Sequence, residues 1–364
     1  MSKKAEVLVV GGGLAGSCAA LQMAKQGAQV TLVHQNQLTG HTASMVPLAL
    51  YNPAAALRAK KGWRALECHQ ALHELLDEVA EFLGSDGFIS RNGLLRPCLD
   101  EGMAAHFRKS AETEGWPEGW VRWLTPEDLR ARFPESEHRW GGLWVAVGMT
   151  VETPILLQGL HEMLRDKYGC LVMEKKVADV SEREAGAIIR FEDGSQTDTP
   201  KVLIAAGAFA RDLAGNEKLK LHAVKGQTVE VAPFLRTDFK PSVSSKGYIS
   251  LHNNRVEIGS TYEHHFDNFN PTDKSNSYLL KKVPRSFPDY DADDLTVRGS
   301  WTGIRVTTPD RMPFTGLLSG RKHTYISTGF GSKGMIFAPY CGILTAQHII
   351  AGTELSREIS ANRW

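Results

Sequence analysis

The run Glu6-Val7-Leu8-Val9-Val10-Gly11-Gly12-Gly13-Leu14-Ala15-Gly16 reads as strand, turn and helix start within eleven consecutive residues. Residues 6–10 are nearly all apolar and rich in valine, as a strand covered on both faces must be. Gly11, Gly13 and Gly16 then satisfy G-x-G-x-x-G. Residues 17–26 carry Ala, Leu, Met and Lys and read as a helix, Gly27 stops it, and residues 28–33 make a second apolar strand. This is a complete βαβ unit, the setting that gives the glycine pattern its meaning. Gly11 permits the tight turn, Gly13 lets a pyrophosphate approach the backbone, and Gly16 lets helix and strand pack closely. The helix start at Leu14 and Ala15 offers N–H groups and partial positive charge to phosphates. A dinucleotide is therefore the expected ligand. The second strand runs into His34 and Gln35, where a carboxylate ordinarily bonds the adenosine ribose. Both side chains can still bond a hydroxyl.

Around this unit lie 364 residues, 42% hydrophobic and 23% charged, ordinary for a globular chain. The 42 Lys and Arg nearly balance the 41 Asp and Glu, for a net charge of +1. That excludes a generally basic nucleic-acid binder and an acidic tail. Cys18, Cys68, Cys98, Cys170 and Cys341 lie far apart with no paired spacing, which argues against a disulfide framework or zinc-thiolate site and for a reducing cytoplasm. Lys3 and Lys4 precede an apolar run in the manner of a secretory leader, but Gly11 to Gly13 split that run. No other stretch reaches the roughly twenty apolar residues of a membrane helix.

Farther along, residues 54–83 carry helical periodicity, as do 154–167. Residues 116–144 hold Trp116, Trp120, Trp123, Trp140 and Trp144 interleaved with arginines. Stacking on RNA bases is one reading; a satellite core with arginine stems laid over it is the favoured one. Residues 170–180 read as one strand. Residues 201–207 form another, ending in Ala205, Ala206 and Gly207, small residues that suit close backbone approach to a ligand. Residues 224–231, 248–251 and 255–260 predict an antiparallel sheet. Glu263, His264, His265 and Asp267 fit no standard metal spacing and are expected to form a solvated loop. Gly329, Gly331 and Gly334 repeat G-x-G-x-x-G before an apolar helix, but too little chain follows for a second ribose-binding strand. The loop and helix start, Gly331 to Met335 with Ser332 and Lys333, are better suited to another anion. Arg305 follows a glycine shortly upstream, and its fork matches a carboxylate; the alternative is a surface pair with Asp310.

Together these residues resemble the D-amino-acid-oxidase-type flavoproteins, which include glycine oxidase and sarcosine oxidase. The resemblance rests on the Gly11–Gly16 run, on Ala205-Ala206-Gly207-Ala208-Phe209, and on Trp301-Thr302-Gly303-Ile304-Arg305 with Pro309-Asp310. It implies an α/β fold: a Rossmann-like, three-layer ββα FAD-binding domain made of residues 1–85, 140–220 and 300–364. An inserted antiparallel α+β substrate domain would comprise 86–139 and 221–299. It implies that Arg305, aided by Tyr248, holds a substrate carboxylate, and that the Val177 backbone meets the adenine. Gly303 stands about where sarcosine oxidases carry the cysteine that bonds the flavin, so the FAD should be noncovalent. A closer likeness, through Ala43-Ser44 beside Thr42, residues 49–53, Val224-Lys225-Gly226-Gln227 and Gly331-Ser332-Lys333-Gly334, is to the oxidase half of a bifunctional tRNA-modifying enzyme. Lys333 stands where that relative has arginine.

The expected chemistry is oxidation of the C–N bond of an amino acid or carboxylate-bearing secondary amine, by hydride transfer to flavin N5. Oxygen or another acceptor would then take the electrons. Two alternatives are removal of a carboxymethyl group from a wobble uridine of tRNA, which requires a basic rim at the site's mouth, and a flavin-bearing subunit of a larger dehydrogenase complex.

Overall fold

The computed structural model describes residues 5–35, 41–216 and 219–364; Lys3 and Lys4 lie outside it. Strand Glu6–Val10 lies inside a six-stranded sheet, paired in parallel with Gln29–His34 on one side and Val202–Ile204 on the other. Its alternation assigns two faces. Val7 and Val9 join a core shared with Leu14, Leu21, Leu76 and Leu160, so helices Leu14–Lys25, Ala65–Leu83, Thr153–Asp166 and Gly334–Ala351 share that core. Leu8 and Val10 pack against Val180 and Ile189 on the opposite face. Those belong to a three-stranded meander, Val177–Arg183, Gly186–Phe191 and Gln196–Thr199. Sheet, sheet and helices are thus the three expected layers.

The predicted strand over 170–180 is two strands. Leu171–Glu174 ends the parallel sheet beside Gln29–His34, and Val177–Arg183 starts the meander. The break at Lys175 and Lys176 turns the chain from one layer to the next. In the periodic stretch 54–83, only Ala65–Leu83 is helical; residues 54–64 form turns along the cavity described below. Buried Arg96 donates to the carbonyls of Ala54 and Ala56 and fixes that segment.

A second sheet of eight strands carries the rest. Val297–Thr307 pairs along His222–Val231, followed by Arg255–Gly259, Tyr248–His252, Ser242–Ser244, Leu94–Pro97, Gly142–Val145 and Val121–Leu124. Apart from one parallel join it is antiparallel. Phe107, Leu143, Trp123 and Trp140 form a satellite core, with Arg108 over Trp123 and Arg139 over Trp140. The tryptophan stretch is packing. Thr125 caps helix Pro126–Arg132 in a capping box with Asp128.

Helix Gly334–Ala351 corrects one sequence expectation, for its 18 residues are long and apolar enough to cross a membrane. Half of it is buried, and Gly342 lies so close to Cys18 that an added Cβ would come 2.9 Å from the Cys18 backbone. All five cysteines are buried free thiols.

Candidate functional site

A cavity of about 1640 Å³ runs from the ends of the parallel strands to the eight-stranded sheet. That exceeds the few hundred to a thousand Å³ of an ordinary small-ligand pocket. Every site residue expected from sequence lines it except Gly16. Gly16 acts by packing: a Cβ there would sit 1.9 Å from the Gly11 carbonyl oxygen. A Cβ on Gly11, whose φ is +117°, would sit 2.4 Å from the Ala205 oxygen. The helix start is therefore drawn tightly onto strands Glu6–Val10 and Val202–Ile204.

At this end the Leu14 N–H donates to Ser44 Oγ, 3.0 Å away, and an added Gly13 Cβ would reach that same oxygen at 3.0 Å. Thr42, Ala43 and Ser44 thus close over the glycine turn, and Ala206 and Gly207 line its other side. The N-cap Gly13 has no side chain to offer, and no acidic residue sits in the first turn. Apart from the Leu14 N–H held by Ser44, the N–H groups of this turn are left for an anion, as a pyrophosphate requires.

His34 and Gln35 line the far end with Lys175, Lys176 and Val177. The register of Val177–Arg183 shifts between Val177 and Asp179, which loosens the ladder where the adenine-side backbone contact is expected. The His34 ring lies 4.8 Å from that of His161, a residue the sequence reading missed. His161 Nε2 is 3.0 Å from the Gly12 oxygen and 3.0 Å from Ser17 Oγ, so it braces the glycine turn from below. Burial, with His34 nearby, pushes its pKa down to about 4.

The second glycine loop approaches from the other side. Thr307 bridges to Phe330, and the Gly331 N–H donates to the Val306 oxygen. Helix Gly334–Ala351 then begins at Lys333, again with no side-chain cap. Burial, followed by the nearby Arg311, lowers the Lys333 pKa. Residues of both helix starts line one cavity.

Arg305 sits at the cavity's other end. Val224 pairs with Arg305 and Gly226 with Gly303. A Cβ on Gly226 would fall 2.3 Å from an Arg305 Nη atom, so the guanidinium rests on that glycine. It donates to the Thr261 oxygen at 3.1 Å and lies 4.6 Å from the Tyr262 ring centroid. Asp310 does not pair with it, for Asp310 holds Arg363 at 2.8 Å. Among the described residues Arg305 has no carboxylate partner. Tyr248 lines the same end, its ring against Gly259, and burial with Glu257 nearby raises its phenol pKa well above the ordinary value.

The described residues contain no cluster of three or more metal-ligating side chains. Glu263 faces Lys225 and Thr261, and His264 pairs with His222. Besides His161, the sequence reading missed Tyr262, Lys282 and Arg311 on the cavity wall. They come from loops and helix ends far apart in the chain, with no motif to mark them.

A glycine turn held against two strands, two helix starts lining one elongated cavity, and an arginine beyond them with no carboxylate partner among the described residues define a flavin-dinucleotide oxidoreductase. Residues 6–348 match the family model described as FAD dependent oxidoreductase, and the chain belongs to that family. Among its relatives is glycine oxidase of Geobacillus kaustophilus, 24% identical over 95% of this chain and 93% of that protein. Another is the tRNA 5-methylaminomethyl-2-thiouridine biosynthesis bifunctional protein MnmC of Thiobacillus denitrificans, 25% identical over 98% of this chain. The chain spans 59% of that relative's length. The crystal structure of iminodiacetate oxidase from Chelativorans superposes with a TM-score of 0.82 at 20% identity, covering 97% of this chain and 99% of that one. The protein is an FAD-dependent enzyme.

Proposed function

We propose that this enzyme oxidises the C–N bond of an amino acid or a carboxylate-bearing secondary amine. The observation that carries the reading is Arg305, a guanidinium laid on Gly226 inside the cavity with no carboxylate partner among the described residues. Its fork suits a carboxylate. Tyr248, its phenol kept protonated, can donate a second hydrogen bond to the same group.

Gly11, Gly13 to Ala15, Ser44, Gly207 and Gly331 to Met335 would hold the FAD, noncovalently because Gly303 offers no thiol. When bound, FAD supplies the acceptor for two electrons. The protein's part is positioning. Arg305 and Tyr248 fix the carboxylate and thereby the α carbon. The substrate nitrogen must be neutral. Its lone pair forms C=N as the α C–H pair departs, and water then cleaves the imine to an oxo acid and an amine or ammonia. The acidic lining residues, Glu192 and Asp212, belong to segments beside the dinucleotide end, so among the described residues no carboxylate base faces Arg305.

A second reading has an observation of its own. Arg58 and Lys60 line the cavity and are exposed, as are two other lining residues, Leu57, 81% exposed, and Tyr262, 60% exposed. Cations beside exposed apolar and aromatic groups suit a nucleic acid, as the tRNA-modifying relative would need.

Anaerobic flavin bleaching tests both. Glycine, sarcosine, D-amino acids, proline and tRNA carrying the carboxymethylaminomethyl group would each be mixed with holoenzyme. Bleaching by a free amino acid is the expected outcome. Bleaching by the tRNA alone would replace the first reading with the second.

A further inference from the structure

Among the described residues Arg96, Lys225 and Lys282 are buried cations; the Arg363 side chain is covered as well but pairs with Asp310 at 2.8 Å. Arg96 rests on the Ala54 and Ala56 carbonyls and the Phe107 ring, away from the cavity. Lys225 has Glu263 at 3.5 Å and the Asn270 oxygen at 2.8 Å. Lys282 differs from both: it lines the cavity, and no carboxylate among the described residues lies within ion-pair distance of it. Burying an unpaired charge is costly.

The fold holds this ammonium in place. Lys282 follows helix Asp273–Leu280 and starts helix Val283–Ser286. Its stem crosses Gly247, where an added Cβ would sit 2.6 Å from Lys282 Cδ. Nζ donates to the Ser260 oxygen at 3.1 Å and lies 4.7 Å from the Tyr278 ring centroid. An ammonium has three donors, so capacity for a ligand remains. Arg305 donates to the next carbonyl, that of Thr261. Two cations are thereby tethered to the carbonyls of one dipeptide. Burial, Arg285 and Arg305 bring the Lys282 pKa down to about 8, as an uncompensated cation requires.

We infer that Lys282 is a second anion subsite, and that the substrate is a small amine carrying two carboxylates, one on Arg305 and the other on Lys282. At 7% exposure Lys282 is too deep for a backbone phosphate of a nucleic acid, which would stop at the rim. The second anion must belong to the small molecule inside. This rests on the reading of Arg305 as the carboxylate anchor.

The test compares N-(2-carboxyethyl)glycine with its neutral amide, N-(2-carbamoylethyl)glycine, on holoenzyme. A charge-assisted hydrogen bond is worth about tenfold or more in kcat/KM, so the diacid is expected to be preferred by at least that factor. In Lys282→Met, whose stem still covers Gly247, the preference should collapse toward unity, chiefly through KM. Perturbation of the flavin spectrum by unreactive glutarate against glutaramate gives the same comparison without turnover. Equal use of diacid and amide by the wild type overturns the inference, as does equal loss of both in the variant. If monocarboxylates bind and react but the second acid gives no advantage, only this subsite falls. If no carboxylate perturbs the flavin at all, the Arg305 reading falls with it.

Discussion

The chain uses one glycine pattern twice, and the two copies are built differently. Gly11, Gly13 and Gly16 are squeezed between strands and helix, so that a Cβ on Gly16 would overlap the Gly11 carbonyl at 1.9 Å. The third glycine of the second copy, Gly334, would bring a Cβ only to ordinary contact, 3.8 Å from Leu14 Cδ1. The first loop sits between parallel strands and is braced from beneath by His161. The second leans on Thr307 and Val306 of the substrate-side sheet and begins its helix with a lysine. The pattern encodes an open helix start; what surrounds it determines which anion the start faces.

That contrast can be broken by exchange. Gly16→Ala should cost roughly 3 kcal/mol or more through overpacking, seen as loss of bound flavin and a lowered Tm. Gly334→Ala should keep its flavin. Equal behaviour of the two variants would mean that the loops are equivalent. On the substrate side, Arg305→Met removes the cation that the second loop's supporting strand presents. A drop of about two to three orders of magnitude in kcat/KM is expected, with flavin content preserved. Tyr248→Phe keeps the ring against Gly259 and should cost less, about tenfold, mostly in KM.

The smallest effect concerns the brace. His161 has a folded pKa near 4 against 6.5 for a free histidine. The unfolded chain takes up a proton as pH falls through 6.5, and the folded chain refuses it until about 4. His161 thus contributes stability above pH 6.5 that is lost between 6.5 and 4. His161→Gln should flatten Tm against pH in that window. An unchanged slope would assign the acid sensitivity elsewhere, with His69, also lowered to about 4, the first place to look.

Local patterns proved legible and cross-chain neighbours did not. The βαβ unit was readable because its residues are consecutive and each glycine answers a local need. Arg305 was readable because Gly303 and Pro309 frame it. The split of residues 170–180 into two sheets could not be read, because both halves are apolar and only tertiary pairing separates Leu171–Glu174 from Val177–Arg183. The eight-stranded sheet takes Gly142–Val145 and residues 300–307 of strand Val297–Thr307 from segments that the sequence division gives to the cofactor domain. Strand membership depends on partners far away in sequence. His161 stands on a helix and Lys282 in the turn between two, and the local spacing says nothing of what lies opposite either.

Strand Val297–Thr307 belongs to two neighbourhoods at once. One side pairs with His222–Val231; the other meets Thr42 at Ile304 and Phe330 at Thr307. The strand that carries Arg305, the proposed carboxylate anchor, is therefore riveted to Thr42 and Phe330 by backbone bonds. A hinge between the two sheets could open only by tearing that seam. Its amides, Gly303 to Thr307, should be among the slowest in the molecule to exchange with deuterated solvent. Traffic in and out of the cavity must then pass through its side wall, where residues 54–64 make turns.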